Sequence, residues 1–256
     1  MLRQLTPILA VIALMAGPAS QAAEIKVPKA IAAAVADPAR PDADKQRDEL
    51  RKPAEVIAFA GMKSGEKVAD FLPGRGYFTR IFAKVVGPKG HVYAVLPEAI
   101  LTQRPTMADG VKAIAADPAY ANVSVQPTPL PNFTAPEPLD LVWTSLNYHD
   151  LKNPMGGATL DTVAMDKAIF AALKPGGTFI VIDHAAAPGS GARDTGTLHR
   201  IDPAVVKEEV TAAGFELVAE SDVLKNPADD HTAKVFDADI RGKTDQFIFK
   251  FRKPKK

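Results

Sequence analysis

The sequence contains no cysteine among its 256 residues, and this absence narrows the chemistry that the protein can use. Disulfides, thiolate zinc sites, cysteine nucleophiles and a lipid anchor on an N-terminal cysteine are all excluded. An excess of charge of one sign is also lacking, because 31 Lys and Arg residues face 30 Asp and Glu residues. So small a net charge creates no strong field toward a polyanion, and we expect no nucleic-acid partner.

The apolar run near the start of the chain is too short to span a bilayer. It covers residues 7–17, whereas a transmembrane helix needs roughly 20 apolar residues. Arg3 precedes the run, and the small residues Ser20 and Ala22 follow it. This pattern is typical of a cleavable signal peptide over residues 1–23. We therefore expect export to the periplasm, with no stable membrane insertion after cleavage; the alternative is an uncleaved N-terminal anchor.

The rest of the chain divides into an arm and one domain. Residues 24–47 begin with an Ala- and Pro-rich stretch, and they are predicted to form a linker or a loosely docked N-terminal arm. Residues 48–256 are long enough for one α/β domain with its own core. Their composition is that of an ordinary globular protein, because 46% of all residues in the chain are hydrophobic.

Short apolar runs alternate with helical stretches through the predicted domain. Strands are predicted at residues 67–72, 91–96, 122–126, 139–146, 178–182, 216–218 and 246–251. Helical patterns stand between most of them, including one that begins at Asp161 and one that has Pro203 at its first position. This alternation predicts an α/β fold with a largely parallel sheet covered by helices on both faces.

The strongest local signal for a binding site is the segment DFLPGRGYFT, at residues 70–79. It joins a predicted strand, which Asp70 closes, to a predicted helix. Gly74 and Gly76 allow the backbone to approach a ligand closely, and the start of the helix exposes N–H groups. The segment therefore predicts a ligand-binding loop at the carboxyl end of the first strand.

Two segments of the chain resemble the class I S-adenosylmethionine-dependent methyltransferases. VADFLPGRGYFTRIFA, at residues 68–83, is similar to the first motif of that family, and LKPGGTFIVIDH, at residues 173–184, is similar to its fifth-strand signature. The resemblance extends over residues 48–251 and is greatest to exported methyltransferase-like proteins. It implies a Rossmann-like, mostly parallel seven-stranded sheet whose last strand is antiparallel. It also implies S-adenosylmethionine as the cofactor and a small molecule as the methyl acceptor.

The same resemblance implies which residues hold the cofactor. Asp70 matches the acid that closes the first strand, and Gly74 and Gly76 match two glycines of the loop. The complete set implied for cofactor binding is Asp70, Pro73, Gly74, Gly76, Tyr77, Glu98 and Asn147.

At three places the sequence departs from the family pattern, one of them residues 127–129 (PTP), where an acid near the adenine is common. Leu72 stands where a glycine is usual, and Leu96 replaces the acid that holds the ribose hydroxyls at the end of the second strand; Glu98 is two residues further on. Leu96, together with Thr79 at the third glycine position of GxGxxG, also disfavours a nicotinamide dinucleotide. The two leucines favour an alternative function, a non-catalytic or repurposed ligand-binding protein that keeps the methyltransferase fold.

Polar residues follow the predicted fourth and fifth strands. The sequence NYHD comes after the fourth strand and DH ends the fifth. If these strands are neighbours, about 4.8 Å apart, the two groups meet above the same crevice. We predict that a neutral His149 or His184 accepts a proton from the methyl acceptor, that Tyr148 lines the pocket, and that Asp183 orients an imidazole.

A metal site is an alternative use of the same region. The His and Asp residues available for it are His149, Asp150, Asp183, His184, His199, Asp202 and the run 229–231. No close ligand spacing such as HExxH joins them, so the sequence assigns no metal ligands. A serine hydrolase is disfavoured because no GxSxG motif is present. The segment RDTGTLHRID, at residues 193–202, is predicted to form a loop over the site.

Overall fold

The computed structural model describes residues 25–154 and 159–255. The predicted signal peptide, residues 1–23, lies outside these ranges. Within the two described ranges, no helix is both long and apolar enough to cross a membrane.

Strands and helices alternate along most of the chain, and a loop without a helix joins the third strand to the fourth. The strands are β1 (Lys67–Phe71), β2 (His91–Pro97), β3 (Val123–Thr128), β4 (Leu139–Ser145), β5 (Leu173–His184), β6 (Glu216–Ser221) and β7 (Gln246–Arg252). The helices are α1 (Lys29–Val35), α2 (Asp42–Lys45), α3 (Asp48–Arg51), α4 (Pro53–Ala60), α5 (Tyr77–Val86), α6 (Glu98–Gln103), α7 (Asp109–Ala116), α8 (Thr162–Ala172) and α9 (Pro203–Ala212). Short 3-10 helices cover Pro105–Ala108, Pro118–Tyr120 and His149–Lys152.

The strands form one seven-stranded sheet in the order β3-β2-β1-β4-β5-β7-β6. β7 runs antiparallel to both of its neighbours, whereas the pairs among β1 to β5 are parallel. The predicted mostly parallel sheet with an antiparallel last strand is therefore confirmed. The order of the strands reverses between β1 and β4, which places a crevice at the carboxyl ends of these two strands.

Helices cover both faces of the sheet, because successive strand residues point to opposite sides. On one face α5 packs against the sheet through Phe78 and Phe82, whose rings lie 4.9 and 5.1 Å from that of Trp143. On the other face α8 and α9 cover an apolar cluster that includes Phe179 and Phe249. Burial on both faces accounts for the nearly continuous apolar runs of the central strands.

The segment predicted to be a linker or loosely docked arm packs closely on the domain. Ile31 and Ala34, three residues apart on one face of α1, are buried in the same apolar cluster as α5. Arg40 is also buried and donates two hydrogen bonds, of 2.7 and 2.8 Å, to the carboxylate of Asp48. The expectation of loose docking is wrong, because one face of α1 in this Ala-rich segment is apolar and buried.

Candidate functional site

A cleft of about 390 Å³ opens at the carboxyl ends of β1, β2 and β4, where the strand order reverses. Its walls include Leu72 and Gly74 after β1, Leu96 at the end of β2, and Met107 beyond α6. A larger depression of about 550 Å³ lies at the other end of the strands, around His91, the first residue of β2. The cleft at the strand reversal is the better candidate, because open α/β sheets bind their ligands at that point.

The loop between β1 and α5 adopts left-handed backbone at Leu72, Gly74 and Gly76, with φ of 54°, 58° and 80°. Glycine takes this conformation freely, whereas a leucine is strained in it. A side chain at position 74 would meet nothing within 4 Å, so this part of the backbone is bare toward the cleft. At position 76 an added Cβ would lie 2.2 Å from Cδ1 of Ile114 in α7. Gly74 thus faces the cleft, and Gly76 allows two elements to pack closely.

Asp70 secures this loop from beneath and does not line the cleft. Its carboxylate is buried and accepts a hydrogen bond of 2.6 Å from the hydroxyl of Thr79 in α5. Burial raises the pKa of Asp70 to about 7, against the opposing effects of the Thr79 hydrogen bond and the charge of Arg51. The predicted ligand contact is therefore replaced by a positioning role.

Asn147 joins the two strands at the reversal point. Its amide nitrogen donates to the carbonyl of Leu72 at 3.1 Å, and its amide oxygen accepts from the hydroxyl of Thr144. Asn147 also lines the cleft, as predicted, although these contacts already occupy both ends of its amide. It therefore fixes the distance between the β1 loop and β4.

Three residues predicted to contact the cofactor lie away from the cleft walls. Tyr77 is buried and its hydroxyl donates to Asp48 at 2.6 Å. The guanidinium groups of Arg40 and Arg51 lie over its ring. Glu98 is exposed in the first turn of α6, where its charge faces the positive end of the helix dipole. Pro73 is half-buried and is not among the lining residues. Because α6 begins at Glu98, directly after Pro97, the Glu98 side chain does not return to the cleft.

The predicted meeting of the β4 and β5 ends is present in the structure. The strands are paired neighbours, and Asp183 Oδ1 lies 2.8 Å from His149 Nδ1. The second carboxylate oxygen of Asp183 accepts a 2.7 Å hydrogen bond from the backbone N–H of His149. Because Asp183 is fully buried, it holds the imidazole of His149 in one orientation.

The protonation states of the two predicted bases differ. Burial alone lowers the pKa of His149, but Asp183 and Asp150 raise it to about 10. His149 is then a hydrogen-bond donor at neutral pH rather than the neutral base that was predicted. Burial lowers the pKa of His184 to about 4, and its Nδ1 lies 2.6 Å from the Thr244 hydroxyl, away from the cleft.

Tyr148 does not line the cleft, contrary to the prediction. It is buried within the apolar cluster beneath α8 and α9, and its hydroxyl lies 2.7 Å from Asp166 and 3.0 Å from Glu209. Burial raises the pKa of Asp166 to about 8, against the opposing effect of the hydrogen bond from the Tyr148 hydroxyl. Tyr148 therefore joins α8 to α9 through these two contacts and stabilises their packing.

A cluster of two histidines and one carboxylate stands at the cleft. His149 Nε2 lies 3.3 Å from Asp150 Oδ1 and 3.3 Å from His199 Nδ1. The distance from His199 Nδ1 to Asp150 Oδ1 is 3.5 Å. Asp150 and His199 both line the cleft, and His199 has left-handed backbone with φ of 57°. We call these three residues the His149–Asp150–His199 cluster.

The loop that carries His199 is anchored on both sides. Arg200 is fully buried and donates hydrogen bonds of 2.8 and 3.0 Å to Asp229. Asp202 caps α9 and also accepts a 2.7 Å bond from the N–H of Gly189. Of the segment predicted to form a loop over the site, residues 193–202, His199 lines the cleft. Asp202 and Asp229 are therefore structural partners of the loop.

Arg51 is a residue near the site that the sequence reasoning missed. Its guanidinium lies 4.8 Å over the ring of Tyr77 and 5.8 Å over that of Phe78. Its charge reaches the strand ends, where it opposes the burial-driven rise in the pKa of Asp70. Arg51 precedes the Lys52-Pro53 break between α3 and α4, and no motif in the sequence marks it as close to the cleft.

Comparison with known proteins gives a match of fold. No protein-family model matches the sequence, and no curated protein matches it either. A methyltransferase from Aquifex aeolicus, described as SAM-dependent, has a similar structure, with a TM-score of 0.57, 20% identity, and coverage of 83% of this chain and 98% of its own. The glycopeptide N-methyltransferase MtfA complexed with sinefungin has a TM-score of 0.53, 14% identity, and coverage of 85% and 89%.

The similar structures also include a cyclase. SpnF has a TM-score of 0.54 and 18% identity over 83% of this chain and 81% of its own. At such identities the comparison establishes the fold and leaves the reaction open. The chain has the Rossmann-like fold of the class I methyltransferases.

Proposed function

We propose that this chain is an S-adenosylmethionine-dependent methyltransferase that acts on a small molecule. The observation that carries the proposal is the cleft at the strand reversal, where the bare backbone of Gly74 faces open space. A backbone without a side chain allows a flat nucleoside to approach closely. The two methyltransferases compared above, one of them complexed with sinefungin, share the fold that forms this cleft.

The described residues fit such a cofactor in volume and in lining. A cleft of about 390 Å³ is within the range of small-molecule sites. Leu96, Ile100 and Met107 supply apolar walls on the β2 side, as an aromatic base requires. Gln103, at the end of α6, lines the same side, and its amide is the group we assign to the ribose hydroxyls in place of the missing acid.

The chain itself contributes positioning to the proposed reaction. When bound, the cofactor supplies the methyl group. Asn147 keeps the β1 loop and the β4 end at a fixed separation, and Asp183 fixes the imidazole of His149. Since methyl transfer is a displacement along one line, correct alignment lowers the barrier substantially. We assign the acceptor to the side of the cleft where the His149–Asp150–His199 cluster stands.

We also propose that the protein works outside the cytoplasm. The support is the sequence pattern of residues 1–23, with Arg3 before a short apolar run and Ala22 at the end. Expression in a Gram-negative host followed by fractionation tests it. The proposal requires a periplasmic form whose first residue is Ala23 or Glu24, and a chain that keeps Met1 in the cytoplasm contradicts it.

The cofactor proposal is tested by calorimetric titration of S-adenosylmethionine and its demethylated product into the purified chain. We expect both to bind, since they share the nucleoside that the Gly74 loop would contact. Absence of heat and of any thermal shift at millimolar concentrations of both ligands would contradict the methyltransferase assignment.

A second candidate function is ligand binding without methyl transfer. Two observations favour it: Leu96 lines the cleft where an acid is usual, and the similar fold of SpnF belongs to a protein described as a cyclase. The same titration separates the two functions when it is followed by a search for methylated products. Tight binding of the cofactor without turnover on any small nucleophile supports the second function.

A further inference from the structure

We propose that the His149–Asp150–His199 cluster is a binding site for one divalent transition-metal ion, of which Zn²⁺ is the simplest case. The inference does not depend on the proposed methyl transfer. It arises because the structure brings His199 close to His149 and Asp150, two adjacent residues about 50 positions earlier in the sequence.

The spacing of the three atoms fits an ion at their centre. His149 Nε2, Asp150 Oδ1 and His199 Nδ1 are separated by 3.3, 3.3 and 3.5 Å. A tetrahedral Zn²⁺ with bonds of 2.0–2.2 Å places its ligand atoms roughly 3.3–3.6 Å apart. Direct hydrogen bonds between such groups are shorter, about 2.7–3.2 Å. The three separations all fit the spacing of ligand atoms around one tetrahedral ion, and the longest of them, 3.5 Å, exceeds the usual length of a hydrogen bond.

The buried side of the cluster has the support that metal-bound histidines have. Asp183 Oδ1 accepts from His149 Nδ1 at 2.8 Å, which leaves Nε2 as the atom that faces the cluster. Histidine ligands of metals almost always donate their other ring N–H to an acceptor that orients them, and a carboxylate is one of the usual acceptors. A metal ion at the centre takes the place of the Nε2 proton, and the Asp183 contact remains unchanged.

The other histidine is held by a strained backbone and a packed ring. His199 has φ of 57°, a conformation in which side chains other than glycine are unusual. Its ring meets that of Phe236 edge to face at 4.8 Å, and the Arg200–Asp229 pair anchors the next residue. Strain of this kind persists where the surrounding structure imposes it, and functional sites are where it gathers.

The cluster is closed on one side and open on the other. The side chain of His149 is 3% exposed, whereas those of His199 and Asp150 are 25% and 42% exposed. Since Asp150 and His199 line the cleft, a fourth coordination position opens into it. Three protein ligands with one open position are the pattern of catalytic rather than structural zinc. An oxygen or nitrogen of the molecule in the cleft is the ligand that this position would take.

Competition between the untagged full chain and a chromogenic chelator tests the proposal, with Zn²⁺ alone as the probe. We expect one equivalent to bind, and Co²⁺ in its place to give the visible absorption of a tetrahedral site. His199→Ala should lower the affinity by about 100-fold or more, and Asp183→Asn by roughly 10–100-fold. His91→Ala is the matched control, because His91 bonds to Ser124 at the opposite edge of the sheet and should leave binding unchanged.

Each result decides the proposal. Stoichiometric binding that falls in His199→Ala and persists in His91→Ala supports it. Absence of binding, binding that survives His199→Ala, or equal loss in both variants overturns it. Circular dichroism on each variant separates loss of the site from loss of the fold, and His199 lies on a loop, so the fold should survive its removal. Because no adenosyl ligand is added, the outcome is independent of the cofactor titration.

Discussion

The two sides of the cleft are built by different means. On the β1–β2 side the backbone takes left-handed turns at Leu72 and Gly74 and the walls are mainly apolar. On the β4–β5 side a buried carboxylate, Asp183, orients a histidine that faces two further polar groups. The β1–β2 side is determined by the shape of its backbone, and the β4–β5 side by its charged and polar groups. Under the proposed function, binding a flat group and acting on it are tasks of separate strands.

The two sides of the cleft also differ in the substitutions that they tolerate. On the β4–β5 side the polar atoms depend on one another, so one deletion leaves a buried charge without its partner. On the β1–β2 side the loop depends on backbone conformation and close packing, which tolerate some substitutions and not others. Variants on the two sides should therefore differ in the size and the kind of their effects.

The largest effect is expected from Asp183→Ala on the charged side. Removing one member of a buried ion pair costs about 3–5 kcal/mol of unfolding free energy. Asp150→Ala is the matched control, since Asp150 approaches the same imidazole at 3.3 Å but is 42% exposed. We expect it to cost at most about 1 kcal/mol. Urea unfolding measures both, and equal losses would show that Asp183 has no special role.

The next effect concerns Asp70 and pH. Burial raises its pKa in the folded protein to about 7 from an ordinary value of 3.8. The folded state therefore holds the proton more tightly, and the stability contributed by this group is complete below about pH 4 and is lost as the pH rises to about 7. In Asp70→Asn this loss disappears, so the variant should gain roughly 2–4 kcal/mol relative to wild type across that window.

Chemical unfolding at a series of pH values measures this difference. Asn keeps an oxygen that can accept the Thr79 hydrogen bond, so the loop should retain its shape. Parallel stability curves for wild type and Asp70→Asn between pH 4 and pH 7 would contradict the raised pKa.

Gly76→Ala tests how far the β1–β2 side depends on close packing. The added Cβ would overlap Ile114, 2.2 Å away, and the backbone is left-handed, so we expect a loss of about 2 kcal/mol. Part of that loss comes from the overlap, and Ile114→Ala should recover that part in the double variant. A double-variant cycle with no coupling between the two positions argues against the close contact of the loop with α7.

Leu72→Gly has the smallest expected effect on stability. The change relieves a left-handed leucine but removes partly buried apolar surface, and these opposing terms should cancel to within about 1 kcal/mol. The variant also widens the cleft on its loop side, so we expect tighter binding of S-adenosylmethionine. Titration of both proteins measures the change, and weaker binding in Leu72→Gly means that the leucine contacts the ligand favourably.

The sheet was predictable from the sequence because the periodicity of the apolar residues agrees with the positions of the turn and capping residues along the chain. β1 ends at Phe71, directly after Asp70, Gly76 precedes α5 as the glycine loop indicated, and Asp202 caps α9. The start of β5 was less well predicted, because the strand was expected at residues 178–182 and instead begins at Leu173. The pairing with β4 steps from Leu173 to Thr178, so residues 174–177 form an irregularity within the strand, which a sequence pattern does not reveal.

The site was predictable only in part. The sequence indicated that the ends of β4 and β5 meet, which brought His149 and Asp183 together correctly. It did not indicate which face each side chain takes, so Tyr148 was assigned to the cleft and lies beneath α8 and α9. His199 joins the cluster through a loop whose path depends on the Arg200–Asp229 pair, 29 residues apart in sequence. Contacts of that range leave no periodic pattern.

The central claim is that the bare backbone at Gly74 forms the floor of an adenosyl site, and one matched pair of variants tests it. Gly74 and Gly65 both have left-handed backbone with φ of 58° and 86°, and a Cβ added at either position meets nothing within 4 Å. Only Gly74 lines the cleft. Titration of S-adenosylmethionine should therefore show binding to wild type and Gly65→Val, and none to a folded Gly74→Val. Equal binding to both variants would contradict the account.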